Sequence, residues 1–290
     1  MTDLGRPRRS VLYMPAANAR ALAKARAIPC DGIIFDLEDA VAPDAKELAR
    51  EQAVAAVRSG AYGRRELTVR CNALSTPWGA DDLAAAGAVA LSAVVIPKVQ
   101  TVAELDAVAA ALDDAGAGGT AIWAMVETPT AILDVRAIAA HERVEVLVMG
   151  TNDLARELRA PLLRGRANLL GYFVAPLLAA REAGIAILDG VYNDVRDADG
   201  FAAECRQGVE LGFDGKTLVH PSQVEPANAA WSPTPEEVEQ AERVVEAWTV
   251  AEAEGRGVVT VDGTMIEHLH VAMARRTLAL SGALRVPRTP

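Results

Sequence analysis

Eight short apolar runs, each followed by a stretch of different periodicity, constrain this chain more than any other feature. The runs cover 10–14, 32–37, 67–71, 93–97, 121–126, 144–149, 185–189 and 217–219. Between them lie helical patterns, such as 44–58, 102–112 and 167–183. Strand and helix in regular alternation imply parallel strands joined by right-handed crossovers. Near-continuous apolar stretches such as Gly32-Ile33-Ile34-Phe35 and Ala93-Val94-Val95-Ile96 suit strands covered on both faces. Eight such units in about 230 residues predict an α/β fold of the TIM (β/α)8 barrel type. An open doubly wound sheet is the alternative. Asp44, with Glu47 three residues on, has the spacing of a capping box.

The barrel is expected to occupy 1–230, leaving 231–290 as a C-terminal helical extension acting as a cap or inter-subunit arm. That extension reads as a Glu-rich helix over 233–255, an apolar run over 258–261, Asp262-Gly263, and a last helix from about 264 to 280. With 51% hydrophobic and 23% charged residues the chain can bury a large core, and with only 4% aromatics Ala, Val, Leu and Ile must fill it. A net charge of -10 argues against a nucleic-acid binder. Cys30, Cys71 and Cys205 are widely spaced, the pattern of reduced thiols and not of a disulfide frame or zinc site. No run reaches the roughly 18–20 apolar residues of a membrane span. The apolar stretch after Arg8-Arg9 stops at Pro15, too soon for an export signal, so the expected location is cytoplasmic and no membrane partner is expected.

A barrel of this kind carries its active site at the carboxyl ends of its strands. There the sequence places Asp36-Leu37-Glu38-Asp39, Arg70-Cys71-Asn72, Pro97-Lys98, Glu127-Thr128-Pro129, Gly150-Thr151-Asn152-Asp153, Asp189 to Asn193, and His220-Pro221. Several carboxylates on one rim repel one another unless a cation lies between them, and two carboxylates with waters and substrate oxygens is a common way to hold Mg2+. Glu127 and Asp153 are the candidate pair; capping of the following helices is the alternative, and a weaker one for Glu127, which precedes Pro129. Arg70 ends a buried strand and needs a neighbouring acid or an anionic ligand. Glu38 and Asp39 serve it either as site residues or as scaffolding. Lys98 reads equally as an anion contact or as an exposed strand end. Arg20, Lys24 and Arg26 read first as a solvated helix face, Cys71 as a buried small side chain, and His268 with His270 as packing or an interface.

These segments, in this order, resemble the citrate lyase β-subunit / HpcH-HpaI aldolase family, and more closely its CoA-ester lyase branch. The resemblance is carried by Arg9-Ser10-Val11-Leu12-Tyr13-Met14-Pro15, Phe35-Asp36-Leu37-Glu38-Asp39-Ala40-Val41, Val69-Arg70-Cys71-Asn72 and Ile96-Pro97-Lys98. It continues through Met125-Val126-Glu127-Thr128-Pro129, Met149-Gly150-Thr151-Asn152-Asp153-Leu154 and His220-Pro221-Ser222-Gln223, and covers about residues 8 to 282.

The resemblance implies a Mg2+-dependent lyase on a TIM barrel, assembled as a homotrimer or a dimer of trimers, with Mn2+ an alternative metal for the same oxygen ligands. It makes Glu127 and Asp153 the metal ligands, with Glu127 also against the substrate, and Arg70 the substrate-binding and charge-stabilising arginine. Glu38 and Asp39 would support the metal's waters and Arg70, and the loop from Pro15 to Arg20 would border the CoA. The implied substrate is a 3-hydroxyacyl-CoA thioester such as malyl-, methylmalyl- or citramalyl-CoA, cleaved to a 2-oxo acid and a short acyl-CoA. One departure stands out: where the family's arm commonly reads Gly-x-Met-Ile-Asp, with the Asp reaching a neighbouring subunit's site, this chain has Gly263-Thr264-Met265-Ile266-Glu267. Glu267 would then be a longer general base. The arm, with 189–193 and 212–217, also resembles the (3S)-malyl-CoA thioesterases of the family, so hydrolysis is the second expectation. A β-type subunit acting on a carrier-bound citryl group is the third.

Overall fold

Alternation within the strands decides the architecture. The computed structural model describes residues 6–285, so the outermost residues of the two expected segments, 1–5 and 286–290, lie outside the described residues. Eight parallel strands, β1 (Ser10–Pro15), β2 (Gly32–Asp36), β3 (Glu66–Arg70), β4 (Ala93–Ile96), β5 (Ala121–Val126), β6 (Val144–Met149), β7 (Ala186–Asp189) and β8 (Gly215–Leu218), close in sequence order, with β8 returning to β1. Every other strand residue faces the interior: Val11, Ile34, Val95, Trp123, Val148 and Leu188 belong to one inner cluster. The intervening positions, such as Leu12, Ile33, Val94, Ile122 and Leu147, pack outward under the helices. This is a closed barrel and not an open doubly wound sheet.

The enclosing helices are α1 (Ala19–Ala25), α2 (Lys46–Arg58), α3 (Gly79–Gly87), α4 (Val102–Asp114), α5 (Pro129–Ala139), α6 (Thr151–Glu157), α7 (Leu170–Ala183), α8 (Ala198–Leu211) and α9 (Val224–Ala230). Their ends follow from local chemistry. Thr101 and Glu104 form a capping box on α4, and Thr128 caps α5 ahead of Pro129. Gly184 and Gly212 end α7 and α8 at φ +68° and +95°, a conformation glycine adopts without cost. Asp44 does not cap α2. Pro43 opens a 3-10 turn, Pro43–Ala45, that absorbs Asp44, and Ala45 takes the cap position with no side-chain bond.

Two compact units divide between Trp231 and Ser232. The second contains α10 (Pro235–Ala253), β9 (Val259–Val261), β10 (Thr264–Ile266) and α11 (His268–Arg285). The expected helix from residue 264 is corrected here: Thr264–Ile266 is a strand, paired antiparallel with β9. Asp262 and Gly263, at φ 49° and 79°, supply the two left-handed residues of a tight hairpin turn. Within this unit Trp248 packs edge-on against His268, with ring centroids 4.5 Å apart. No helix among the described residues is long and apolar enough to cross a membrane.

A second correction concerns Asp189, grouped with the rim residues on sequence grounds. It pairs in register with Lys216 and faces outward, away from the barrel mouth. The Lys216 ammonium, wholly inaccessible, donates to Asp189 Oδ2 and Glu204 Oε1 at 2.8 Å each. Arg166 donates to Asp189 Oδ1 and lies 3.6 Å from Glu204. Burial pushes the Asp189 pKa up, but Lys216 and Arg166 together outweigh it and hold the carboxyl below its ordinary value. Two cations thus balance two anions beneath α8. Lys216→Met would leave an uncompensated buried negative charge and cost about 3–5 kcal/mol. Urea unfolding at pH 7 measures this. The deficit should narrow toward pH 5, because protonation of a carboxylate relieves the stranded charge; a deficit that widens toward acid contradicts the assignment.

Candidate active site

The polar mouth of the barrel is built around one buried arginine. Arg70 and Asp36 close β3 and β2 and are direct partners in the ladder, so both side chains share the interior face with Ile34. Arg70 Nε and Nη2 donate to Asp36 Oδ1 and Oδ2 at 2.7 and 2.6 Å, a bidentate fork. The guanidinium lies 4.9 Å from the centroid of the Tyr13 ring. Burial works against the charge on Arg70, yet the hydrogen bonds and field of Asp36 raise its pKa well above the ordinary value. Arg70 Nη1 sits 2.7 Å from Glu38 Oε2 and 3.9 Å from Asp39. Asp36, whose role was not legible in sequence, is therefore the principal partner of Arg70; Glu38 is second, and Asp39 is peripheral and exposed.

Asp36 also shapes the turn that presents Glu38, accepting the backbone N–H groups of Glu38 and Ala40 at 2.9 and 3.3 Å. Beneath this turn the buried Lys46 ammonium donates to the carbonyls of Leu37 and Glu38 and to Asn72 Oδ1, at 2.6, 2.8 and 2.9 Å. Asn72 is fixed in turn by Asp82. Lys46 and Asp82 were missed in sequence because they lie on α2 and α3, where a charged residue reads as a solvated helix face. The signal available was their place on the inward stripes of those helices.

Lys98 follows β4 in the left-handed region, at φ 53°. In that conformation its backbone N–H donates to Glu127 Oε1 at 2.7 Å while its ammonium pairs with Glu38 Oε1. Lys98 is thus a strut between two carboxylates, not an exposed strand end. Glu127, at the end of β5, is 1% exposed. It caps nothing, since Thr128 Oγ1 accepts the Ala131 N–H at the start of α5. Burial pushes the Glu127 carboxyl up to about 7, with Glu38 and Asp153 adding to the rise and the Lys98 amide opposing it. Gly150 must be glycine here, because a Cβ at that position would collide with Glu127 Oε2 and Cβ. Asp153 stands in the first turn of α6, pairs with Arg156 at 2.7 Å and makes no cap bond.

Pro15 ends β1, and its carbonyl accepts the Asn18 N–H at 3.0 Å. Asn18 caps α1, whose first turn carries Arg20 on an exposed face. Among the described residues no contact joins Arg20 to the Arg70 cluster. Glu267 belongs to the second unit, half-buried just ahead of α11, where its N–H donates to His270 Nδ1 at 3.2 Å. Cys71 is buried and its thiol is held well above the usual range by desolvation, which rules it out as an activated nucleophile. A cleft of about 320 Å3, lined by Thr151, Asn152, Arg164, Tyr192 and Asn193 among others, opens between the segments after β6 and β7. The reciprocal amide bonds of Asn152 and Asn193, 3.2 and 2.8 Å, bridge those loops.

Among the described residues no three His, Cys, Asp or Glu side chains are grouped to hold a metal by themselves. Among the described residues Glu127 has no ion-pair partner, while Asp153 beside it is paired with Arg156. Burial raises Glu127 most, and Glu38 and Asp153, whose field a cation would relieve, raise it further. This donor set fits a hard divalent ion that keeps several waters, as Mg2+ does. The metal-free protein should accordingly be pH-sensitive. A carboxyl whose folded pKa exceeds its unfolded value stabilises fully below about 4.5 and loses that contribution as pH rises through about 7, here up to about 3 kcal/mol. Glu127→Gln should therefore melt above the wild type at pH 8 without metal and beside it at pH 4.5. A variant that melts below the wild type at pH 8 contradicts the charge deficit.

A model of the HpcH/HpaI aldolase/citrate lyase family matches residues 9–221. The chain is 47% identical over 284 residues, 98% of both chains, to a (3S)-malyl-CoA thioesterase of Cereibacter sphaeroides strain KD131. It is 36% identical to the citrate lyase subunit beta of Escherichia coli K12, covering 94% of this chain and 93% of the relative. Among solved structures it is similar to the protein CitE of Mycobacterium tuberculosis in complex with magnesium, acetoacetate and coenzyme A. That likeness has a TM-score of 0.77 and 29% identity over 94% of this chain and 97% of that one. The sequence match spans Asp36, Arg70, Glu127 and Asp153, and the chain belongs to the HpcH/HpaI aldolase/citrate lyase family.

Proposed function

We propose that this chain is a Mg2+-dependent enzyme that hydrolyses the thioester of (3S)-malyl-CoA to malate and CoA. The observation that carries the reading is a buried Glu127 with no ion-pair partner among the described residues, in the field of Asp153 and beside a pre-formed arginine fork. The likeness to thioesterases over nearly the whole chain supports hydrolysis ahead of carbon–carbon cleavage. Glu127 and Asp153 would hold the ion, and the chemistry it supplies when bound is Lewis-acid polarisation of the substrate oxygens it contacts.

The protein's own part is orientation and charge. Arg70 cannot turn away, because Asp36 holds it on two nitrogens and Tyr13 covers one face. Such a donor stabilises negative charge growing on the thioester oxygen without reorganising. Water then adds to the carbonyl carbon, a carboxylate base accepts its proton, and the carbon–sulfur bond breaks as the base returns that proton to the leaving sulfur, releasing CoA as the thiol. Glu267 from a second copy of the chain is the proposed base, in keeping with a homotrimer or a dimer of trimers. Exposed Leu133, Val174 and Leu178 on α5 and α7 support self-association. Pro15 and Arg20 are proposed to border the CoA, with Glu38 and Asp39 supporting the metal's waters.

A second reading, cleavage to glyoxylate and acetyl-CoA, is favoured by the relatives named citrate lyase subunit beta. The two outcomes differ in which bond breaks, so two products separate them. With (3S)-malyl-CoA and Mg2+, we expect free CoA by a thiol reagent and no glyoxylate by phenylhydrazine. Glyoxylate with the thioester intact overturns hydrolysis in favour of the lyase. Arg70→Ala should lower kcat on the order of 10²–10³-fold. EDTA should abolish activity and Mg2+ restore it.

A further inference from the structure

Lys98 touches two carboxylates of the barrel mouth by different means, and it does so from a backbone conformation that side chains rarely adopt. Its φ of 53° lies where only glycine is unstrained. The strained turn aims the amide N–H at Glu127 Oε1, 2.7 Å away, and leaves the side chain pointing at Glu38. Glu38 is in this way divided between two cations: Oε1 against the Lys98 ammonium and Oε2 against Arg70 Nη1. The Glu38 side chain is 11% exposed, and Lys98 bridges it to Glu127, with its ammonium on one carboxylate and its amide on the other. A third carboxylate is therefore tied to Glu127 through Lys98: its Oε1 is taken by the Lys98 ammonium, while its Oε2 keeps the charge contact with Arg70 Nη1 and accepts no hydrogen bond among the described residues.

We propose that Lys98 is a positioning residue that caps Glu38 Oε1, so that Glu127 and Asp153 remain the only carboxylates offered to the metal. The inference rests on the metal-site reading above and deepens it. Two carboxylates leave most of an octahedral ion's positions to water and substrate, the arrangement that suits Mg2+ in a site where the ligand must also bind. A third carboxylate would bind the ion more tightly, close one of those positions, and loosen Glu38 from Arg70. Strain at Lys98 is then the consequence of serving both carboxylates from one residue.

Lys98→Gly tests this without threatening the fold, since glycine keeps the amide donor and relieves the left-handed φ. Lys98→Met, which keeps the stem, is the second variant. Calorimetric titration with Mg2+ in the absence of substrate should show both binding about tenfold more tightly than the wild type, on the order expected when one nearby cation releases an anion. Deletion of any positive charge can tighten cation binding, so the decisive measurement is a cycle with Glu38→Gln. In the Glu38→Gln background Lys98, about one-third exposed, is free to swing into solvent, where its repulsion is screened. Lys98→Gly should there change Mg2+ affinity by no more than about twofold. Unchanged or weaker binding by both single variants, or the same tenfold gain without Glu38, overturns the proposal while leaving the metal site standing. Failure of the wild type to bind Mg2+, or binding unaffected by Glu127→Gln, overturns both.

Discussion

Charge balance at the mouth of the barrel is the constraint to which the rest of this structure answers. Asp36, Glu38, Asp39, Glu127 and Asp153 are gathered at one end of the barrel, while Arg70, Lys98 and Arg156 are the cations paired to them. The pairing is unequal. Asp36 is satisfied outright by Arg70, and Glu38 is shared between Arg70 and Lys98. Glu127 receives only a backbone amide and the remnant of the Lys98 field, and its proton affinity rises accordingly. A buried carboxyl left near neutrality is costly to charge, and in the proposed function a divalent cation, not a proton, would relieve it.

The fold supplies rigidity where that balance needs it. Asp36 and Arg70 are strand residues in direct register, so their fork is set by the sheet and not by a loop. The loop residues are held from behind: Glu38 by Lys46 acting on its carbonyl, Glu127 by the Lys98 amide and the absent side chain of Gly150. A second group of buried charges makes up its own balance. Asp189, Glu204, Arg166 and Lys216 form a neutral group under α8, which serves stability.

Much of this was legible in the sequence. Eight apolar runs with helical stretches between them gave the barrel, because strands buried on both faces leave an unmistakable pattern. Residues at the carboxyl ends of those runs gave Arg70, Glu127 and Asp153 as a group, since barrel geometry brings strand ends together. What failed to show depends on side-chain direction. Asp36 and Asp189 both end strands, yet one faces the interior and the other the helices, and only strand register separates them. Asp44 was drawn into a 3-10 turn by Pro43, and the Asp262-Gly263 hairpin was hidden in a stretch that also reads as a helix start. Hydrolysis and carbon–carbon cleavage ask for the same metal site and the same arginine, so they differ only in where a base meets the substrate, which residue order does not encode.

Proton release on metal binding tests the central claim most directly, because it reports Glu127 itself. Mg2+ should be titrated calorimetrically at pH 7 in two buffers of different ionisation enthalpy. With the Glu127 carboxyl near 7 in the metal-free protein, binding should release about half a proton at pH 7 and progressively less as the pH is raised past 8. Binding that releases no proton at pH 7, or a release that persists in Glu127→Gln, would contradict the account.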